Sequence, residues 1–325
     1  MNFKLDYPVL SVAQGRNSHE ILIGGGSGSE KDGIFNYITY CEIDSSGKLV
    51  ITKKDEYDDK ITYITTCFYE SKTYISFINN QKIIVLNNKN DQKNEIDNKK
   101  RITSLSISSD LLIYTDDQFQ LYLYNFPQLK KICSCPKNVF KRAIFMKENN
   151  NTYILCISES KVKLLDPSKK FNVIAESKHF DFELKDLLVV ENDIFILIVK
   201  ERKQSFLIKM RHEANTLKTL KKVSFAHDAF CSMCSTSKLL LLGNSFGDLI
   251  ILDRFSLRKK KAFIHIHDLS ITSICTVNDF IITGSLDYNV CVTHFVDKSN
   301  RKYNIMFAIL LIFLCFFISY FSHTF

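Results

Sequence analysis

Tryptophan is absent from this chain of 325 residues, and only four prolines and ten glycines punctuate it. With no Trp and few turn residues to mark unit boundaries, any internal repeat must be found by its period. The opening Met1-Asn2-Phe3-Lys4-Leu5-Asp6 lacks the apolar stretch of a signal peptide. The ten scattered cysteines are therefore expected to stay reduced in the cytosol. Cys231-x-x-Cys234 and Cys133-x-Cys135 each supply half a zinc site, but no second pair lies at ligand spacing, which favours buried strand cysteines over a metal. Charge is missing too at one end, where Tyr303 to Phe325 contains no Asp, Glu, Lys or Arg.

What is present reads as strand after strand. A hydrophobic content of 46% with 24% charged residues excludes global disorder. The net charge of +8 suggests anionic partners without choosing among acidic protein, lipid headgroup and nucleic acid. One phrase recurs: alternating apolar positions, then often Asp or Asn. It ends at Leu86, Tyr124, Leu165, Leu252 and Thr293, at intervals of 38, 41, 87 and 41 residues. The long interval holds a weak copy near Phe206-Leu207-Ile208-Lys209, and one period before Leu86 lies Cys41, making seven units. A period of about 40–45 residues with several short strands per unit predicts an all-β, seven-bladed WD-repeat β-propeller over residues 1–297.

The last units carry more of the repeat signature. His267-x-x-x-Ile271-Thr272-Ser273-Ile274, followed by Thr283-Gly284-Ser285-Leu286-Asp287, predicts a structural His267–Asp287 hydrogen bond. His227 holds the equivalent opening place in the unit before. The early strand Phe3 to Tyr7 is expected to pair with the last blade, since closure removes open edges. Asn87 to Arg101 reads as a polar low-complexity loop, and Arg258-Lys259-Lys260-Lys261 as a solvated basic loop between blades.

The uncharged end predicts a membrane helix over residues 303–321, with a basic linker 298–302 before it and a short lumenal tail 322–325 after it. Lys298, Arg301 and Lys302 place the large N-terminal part on the cytosolic side by the positive-inside rule.

Gly24-Gly25-Gly26-Ser27-Gly28-Ser29-Glu30-Lys31-Asp32-Gly33-Ile34-Phe35-Asn36 interrupts the pattern and holds five of the ten glycines. The run is longer than a simple hairpin needs. It lacks the Gly-Lys-Ser/Thr of a phosphate loop, and a strand rather than a helix follows, which removes the dinucleotide fingerprint. No nucleophile–base constellation accompanies it.

Tyr7-Pro8 with Gly25-Gly26-Ser27-Gly28-x-x-Lys31-x-Gly33-Ile34-x-Asn36 resembles the first blade of one family. These are the endoplasmic-reticulum exchange factors for the Sar-type small GTPase, the Sec-twelve group that includes the prolactin regulatory element-binding protein. Ser27 departs from that family's unbroken glycine run. The resemblance implies a single-pass ER-membrane protein with a cytosolic propeller. It would act as a guanine nucleotide exchange factor for the Sar-type GTPase and start COPII coat assembly in ER-to-Golgi transport, without covalent chemistry. It also implies a potassium ion held by backbone carbonyls of Gly25, Gly26 and Gly28, and GTPase contacts from Lys31, Gly33, Ile34 and Asn36. The alternative is a membrane-tethered WD-repeat trafficking scaffold without exchange activity. Nucleic acid is not an expected partner.

Overall fold

A computed structural model describes residues 1–27, 33–87, 93–135, 139–201, 204–226 and 228–295. Apart from one turn of 3-10 helix at Pro167–Lys169, the regular structure of these residues is β. After β1 (Asn2–Lys4), the chain runs through β2 (Val9–Gln14), β3 (Glu20–Gly25), β4 (Asn36–Ile43) and β5 (Leu49–Tyr57), a four-stranded antiparallel meander. The second meander is β6 (Ile61–Tyr69), β7 (Lys72–Asn79), β8 (Lys82–Asn87) and β9 (Lys93–Asp97). The third is β10 (Ile102–Ser108), β11 (Leu111–Asp116), β12 (Leu121–Asn125) and β13 (Lys131–Cys135).

Next come β14 (Phe140–Glu148), β15 (Asn151–Ser158), β16 (Lys161–Asp166) and β17 (Asn172–Glu176), then β18 (Glu183–Val190), β19 (Asp193–Lys200), β20 (Gln204–Glu213) and β21 (Thr216–Ala226). The chain continues with β22 (Phe230–Ser235), β23 (Leu239–Asn244), β24 (Leu249–Asp253) and β25 (Lys259–Phe263). It ends with β26 (Ile271–Val277), β27 (Phe280–Ser285) and β28 (Asn289–His294), to which β1 is added as the fourth strand.

The expected seven separate blades are corrected to six sheets, five of four strands and one of eight. Glu176 of β17 pairs in parallel with Thr216 of β21, a single bridge that joins two meanders at their largely exposed outermost strands. The fused sheet runs β14-β15-β16-β17-β21-β20-β19-β18, and it curls until its edge strands β14 and β18 lie side by side. The transmembrane part of the expectation is not supported either. Among the described residues no helix is long and apolar enough to cross a membrane, and 298–302, 303–321 and 322–325 lie outside those residues.

Position within a meander sets each strand's composition. Second strands such as Leu239–Asn244 are buried along their whole length because both faces pack on neighbouring sheets, hence their unbroken apolar runs. Fourth strands such as Leu49–Tyr57 are largely exposed and carry lysine, which blunts an open edge. The recurring apolar phrase falls on the third strands. First strands stand in chain order, each beside the next, and β26 returns to β2. Apolar clusters fill the seams between neighbours, as where Val9, Val12 and Ile23 meet Val277, Ile282 and Val290.

The ring closes as the edge argument expects: Phe3 pairs with Val290, and Met1 and Val292 exchange two 2.8 Å backbone hydrogen bonds. Two expected loops are partly strand. Lys93–Asp97 pairs with β8, and Lys259–Phe263 pairs with β24.

Candidate functional site

The glycine-rich run joins β3 to β4, and its described part is packed rather than open. A Cβ on Gly25 would collide with the Pro8 carbonyl oxygen and come within 2.8 Å of the Tyr7 ring. Gly26 has φ +130°, and a Cβ there would strike Asn36. Close backbone approach and positive φ account for glycine at both positions. Gly28 and Lys31 lie outside the described residues.

Of the residues assigned by resemblance to partner contact, Asn36 is only 2% exposed, and its Nδ2 donates to the Asp58 carbonyl at 3.5 Å. Ile34 packs against the cluster around Tyr7 and Ile23, while its carbonyl accepts from Ser27 Oγ at 3.2 Å. Gly33 is exposed at φ +66°. The side chain that does face water is Phe35, 51% exposed and tilted over Tyr37. Strand alternation was the signal that could have found it, since Asn36 enters β4 facing inward.

Phe35 belongs to a wider pattern. Successive strands of a meander reverse direction, so the turn between second and third strands falls on the same rim as the link to the next meander. Backbone bonds tie these segments together: Ile102 N to Asn80 O at 2.9 Å, Phe140 N to Phe119 O at 2.8 Å, and Ser245 N to Ala229 O at 2.9 Å. On this loop rim, in the last two meanders, Phe246, Ile264, Leu269 and Leu286 are all exposed. Their segments are joined by Ser270, whose Oγ donates to Ser245 O at 3.3 Å and whose carbonyl accepts from Leu286 N at 3.4 Å. Thr272 Oγ1 donates to Val9 O at 2.8 Å, linking this sector to the meander that bears Phe35.

His267 fixes the geometry of this arc from beneath. Its Nδ1 lies 3.1 Å from Asp287 Oδ2 and its Nε2 2.8 Å from Thr283 Oγ1, with the ring buried. Burial lowers the imidazole below its ordinary pKa against the opposing pull of Asp287. Burial alone would raise the Asp287 carboxyl, but the Asn289 and Asp268 N–H donors, with His267, bring it below its ordinary value. Neutral His267 with Nδ1–H toward Asp287 and Nε2 accepting from Thr283 satisfies every group, which is a structural role. His227 lies outside the described residues. In the sixth meander Asn244 Nδ2 donates to both Asp228 and Asp248 at 3.0 Å, the equivalent latch. Among the described residues no cluster of His, Cys, Asp or Glu is placed to hold a metal ion.

No family model and no curated protein matches this chain. Solved structures do. The crystal structure of Ika8, a computationally designed protein, covers 90% of this chain and 98% of its own length, with TM-score 0.62 and 11% identity. At that identity the likeness speaks for the fold alone. The resemblance to the Sar exchange factors is therefore corrected. No sequence relationship supports it, and the structure has no membrane helix among its described residues. Exchange activity, the Sar-type partner, ER anchoring and a COPII role fall with it, as does the membrane-tethered alternative.

Proposed function

We propose that this protein is a non-catalytic binding scaffold that presents its loop rim to a protein partner. One observation carries the reading: Phe35, Phe246, Ile264, Leu269 and Leu286 stand exposed on one rim across three consecutive meanders, with Phe119 and Val139 exposed further round the same rim. Contiguous exposed apolar surface marks interaction sites, and aromatic anchors supply a disproportionate share of binding energy. The exposed carboxylates Asp58 and Asp268 border the arc. The partner it fits therefore presents apolar side chains flanked by cations.

A random peptide display library selected against the intact protein tests this. Selected peptides should be apolar with basic flanks. The double variant Phe246→Ser, Leu269→Ser should bind them at least about tenfold more weakly, with an unchanged melting temperature. Phe68→Ser, near the opposite rim, should have no effect. Peptides that bind the double variant as tightly as wild type would refute the assignment.

A further inference from the structure

The seven first strands surround a central cavity of about 670 Å³, and each of them contributes to its wall. Every one of these strands breaks register near its start. The shifts fall between Val9 and Ser11, Ile61 and Tyr63, Ile102 and Ser104, Phe140 and Arg142, Leu184 and Asp186, Phe230 and Ser232, and Ile271 and Ser273. Bulges re-aim side chains, so these irregularities define two layers at the cavity mouth.

In the layer after the bulge, serines stitch neighbouring strands. Ser11 Oγ accepts from Ile64 N at 2.9 Å, Ser104 Oγ from Ala143 N at 3.3 Å, and Ser273 Oγ from Val12 N at 3.1 Å, while Ser232 Oγ donates to Ile271 O at 2.9 Å. Between β14 and β18 the same position holds charge instead. Arg142 Nη2 lies 2.9 Å from Asp186 Oδ1, and Asp186 also accepts from Leu187 N at 2.6 Å.

A stitch needs no net charge, yet this mouth has one. Two cations, Arg101 and Arg142, line the cavity against one carboxylate, Asp186, already engaged twice. The bulge positions of β14 and β18 are Lys141 and Lys185, both exposed, where other strands place Leu10, Thr62, Thr103, Cys231 and Thr272. Deeper in, Phe145, Leu188 and Met233 give the wall an apolar sector beside the hydroxyl of Ser106. Positive excess in a low-dielectric cleft concentrates anions, and the volume suits a small ligand.

We propose that this cavity binds a small amphiphilic carboxylate. Its head group meets Arg142 and the rim cations, and its apolar part lies against Phe145, Leu188 and Met233. The assignment is independent of any protein partner on the loop rim.

Calorimetric titration of the full chain with octanoate tests it, beside octanol (the same tail without charge) and inorganic phosphate (charge without tail). Octanoate should bind saturably at one site per chain, and the two controls at least about tenfold more weakly. Arg101→Gln and Lys185→Gln, both exposed and outside the seam, should each weaken octanoate about two- to fivefold. Asp186→Asn keeps the polar stitch but removes the competing carboxylate, so octanoate should bind more tightly. A purely structural Asp186 would not produce that change. Failure of octanoate to saturate, phosphate or octanol matching it, or indifference to the two rim variants would overturn the proposal. The rim variants decide the matter even if the Asp186 variant does not fold.

Discussion

Gly25→Ala and Gly33→Ala separate a glycine kept for packing from one kept for conformation. At Gly25 the new methyl would meet the Pro8 carbonyl and the Tyr7 ring at 2.8 Å, with the Pro8 carbonyl carbon at 3.0 Å. Two of these three contacts are backbone and cannot swing aside. Tyr7 is fully buried, its hydroxyl 2.7 Å from Thr39 Oγ1 and 3.2 Å from the Ile23 carbonyl. Relief must then come from shifting β2 against β3. Overpacking of this kind costs about 1–3 kcal/mol, and alanine returns about 0.4–1 kcal/mol through the unfolded chain. The net expectation is a loss of about 1–2 kcal/mol.

Gly33 at φ +66° meets nothing within 4 Å. Its alanine costs only the left-handed backbone, about 1 kcal/mol, less the same unfolded-chain return. Urea unfolding followed by circular dichroism should thus rank wild type above Gly33→Ala and Gly33→Ala above Gly25→Ala, with unchanged slope. A Gly25→Ala protein as stable as wild type would refute the packing account of the glycine run.

Three further outcomes are expected. Ser273→Ala removes the acceptor of Val12 N and the donor to Val12 O; it should cost about 1–2 kcal/mol in the same urea assay, and Ser273→Thr should restore part of it. His267 is held below its ordinary pKa in the fold, so the unfolded chain binds the extra proton first. Stability should be full above about pH 6.5 and fall as pH drops below that value; urea midpoints between pH 7.5 and 5 should show the fall, and His267→Gln should flatten it. Deleting residues 1–4 removes the partner of β28 and both Met1–Val292 bonds; the melting temperature should drop by several degrees and amide exchange should quicken in residues 289–294.

Much of the architecture was legible because apolar alternation reports burial directly. The phrase ending at Leu86, Tyr124, Leu165 and Leu252 marks third strands, whose two faces pack on neighbours. Outermost strands escaped notice for the complementary reason. Lys93–Asp97 and Lys259–Phe263 owe their conformation to the backbone of β8 and β24, which needs no apolar side chain. The Glu176–Thr216 bridge is a backbone event with no compositional trace.

The glycine run was visibly special, but its cause lay in Tyr7, Pro8 and Asn36, distant in sequence or hidden by alternation. Ser11, Ser104, Ser232 and Ser273 carried a faint signal, a serine at the third position of four of the seven first strands. The charged substitution at Arg142 and Asp186 stood out only once the strands were aligned by their bulges.

The pairing of β1 with β28 also bears on how the chain reaches its fold. Met1 and Val292 are 291 positions apart, which is about as non-local as a contact in this domain can be. Such contacts are slow to form because the chain must close a long loop before they repay it. On a ribosome, the first strand leaves the exit tunnel with no partner and waits for nearly the whole domain to follow. Until then, β28's side of the last meander is open to a neighbouring nascent chain as readily as to its own beginning. The seal that closes the finished ring thus makes its assembly depend on the final residues translated into it.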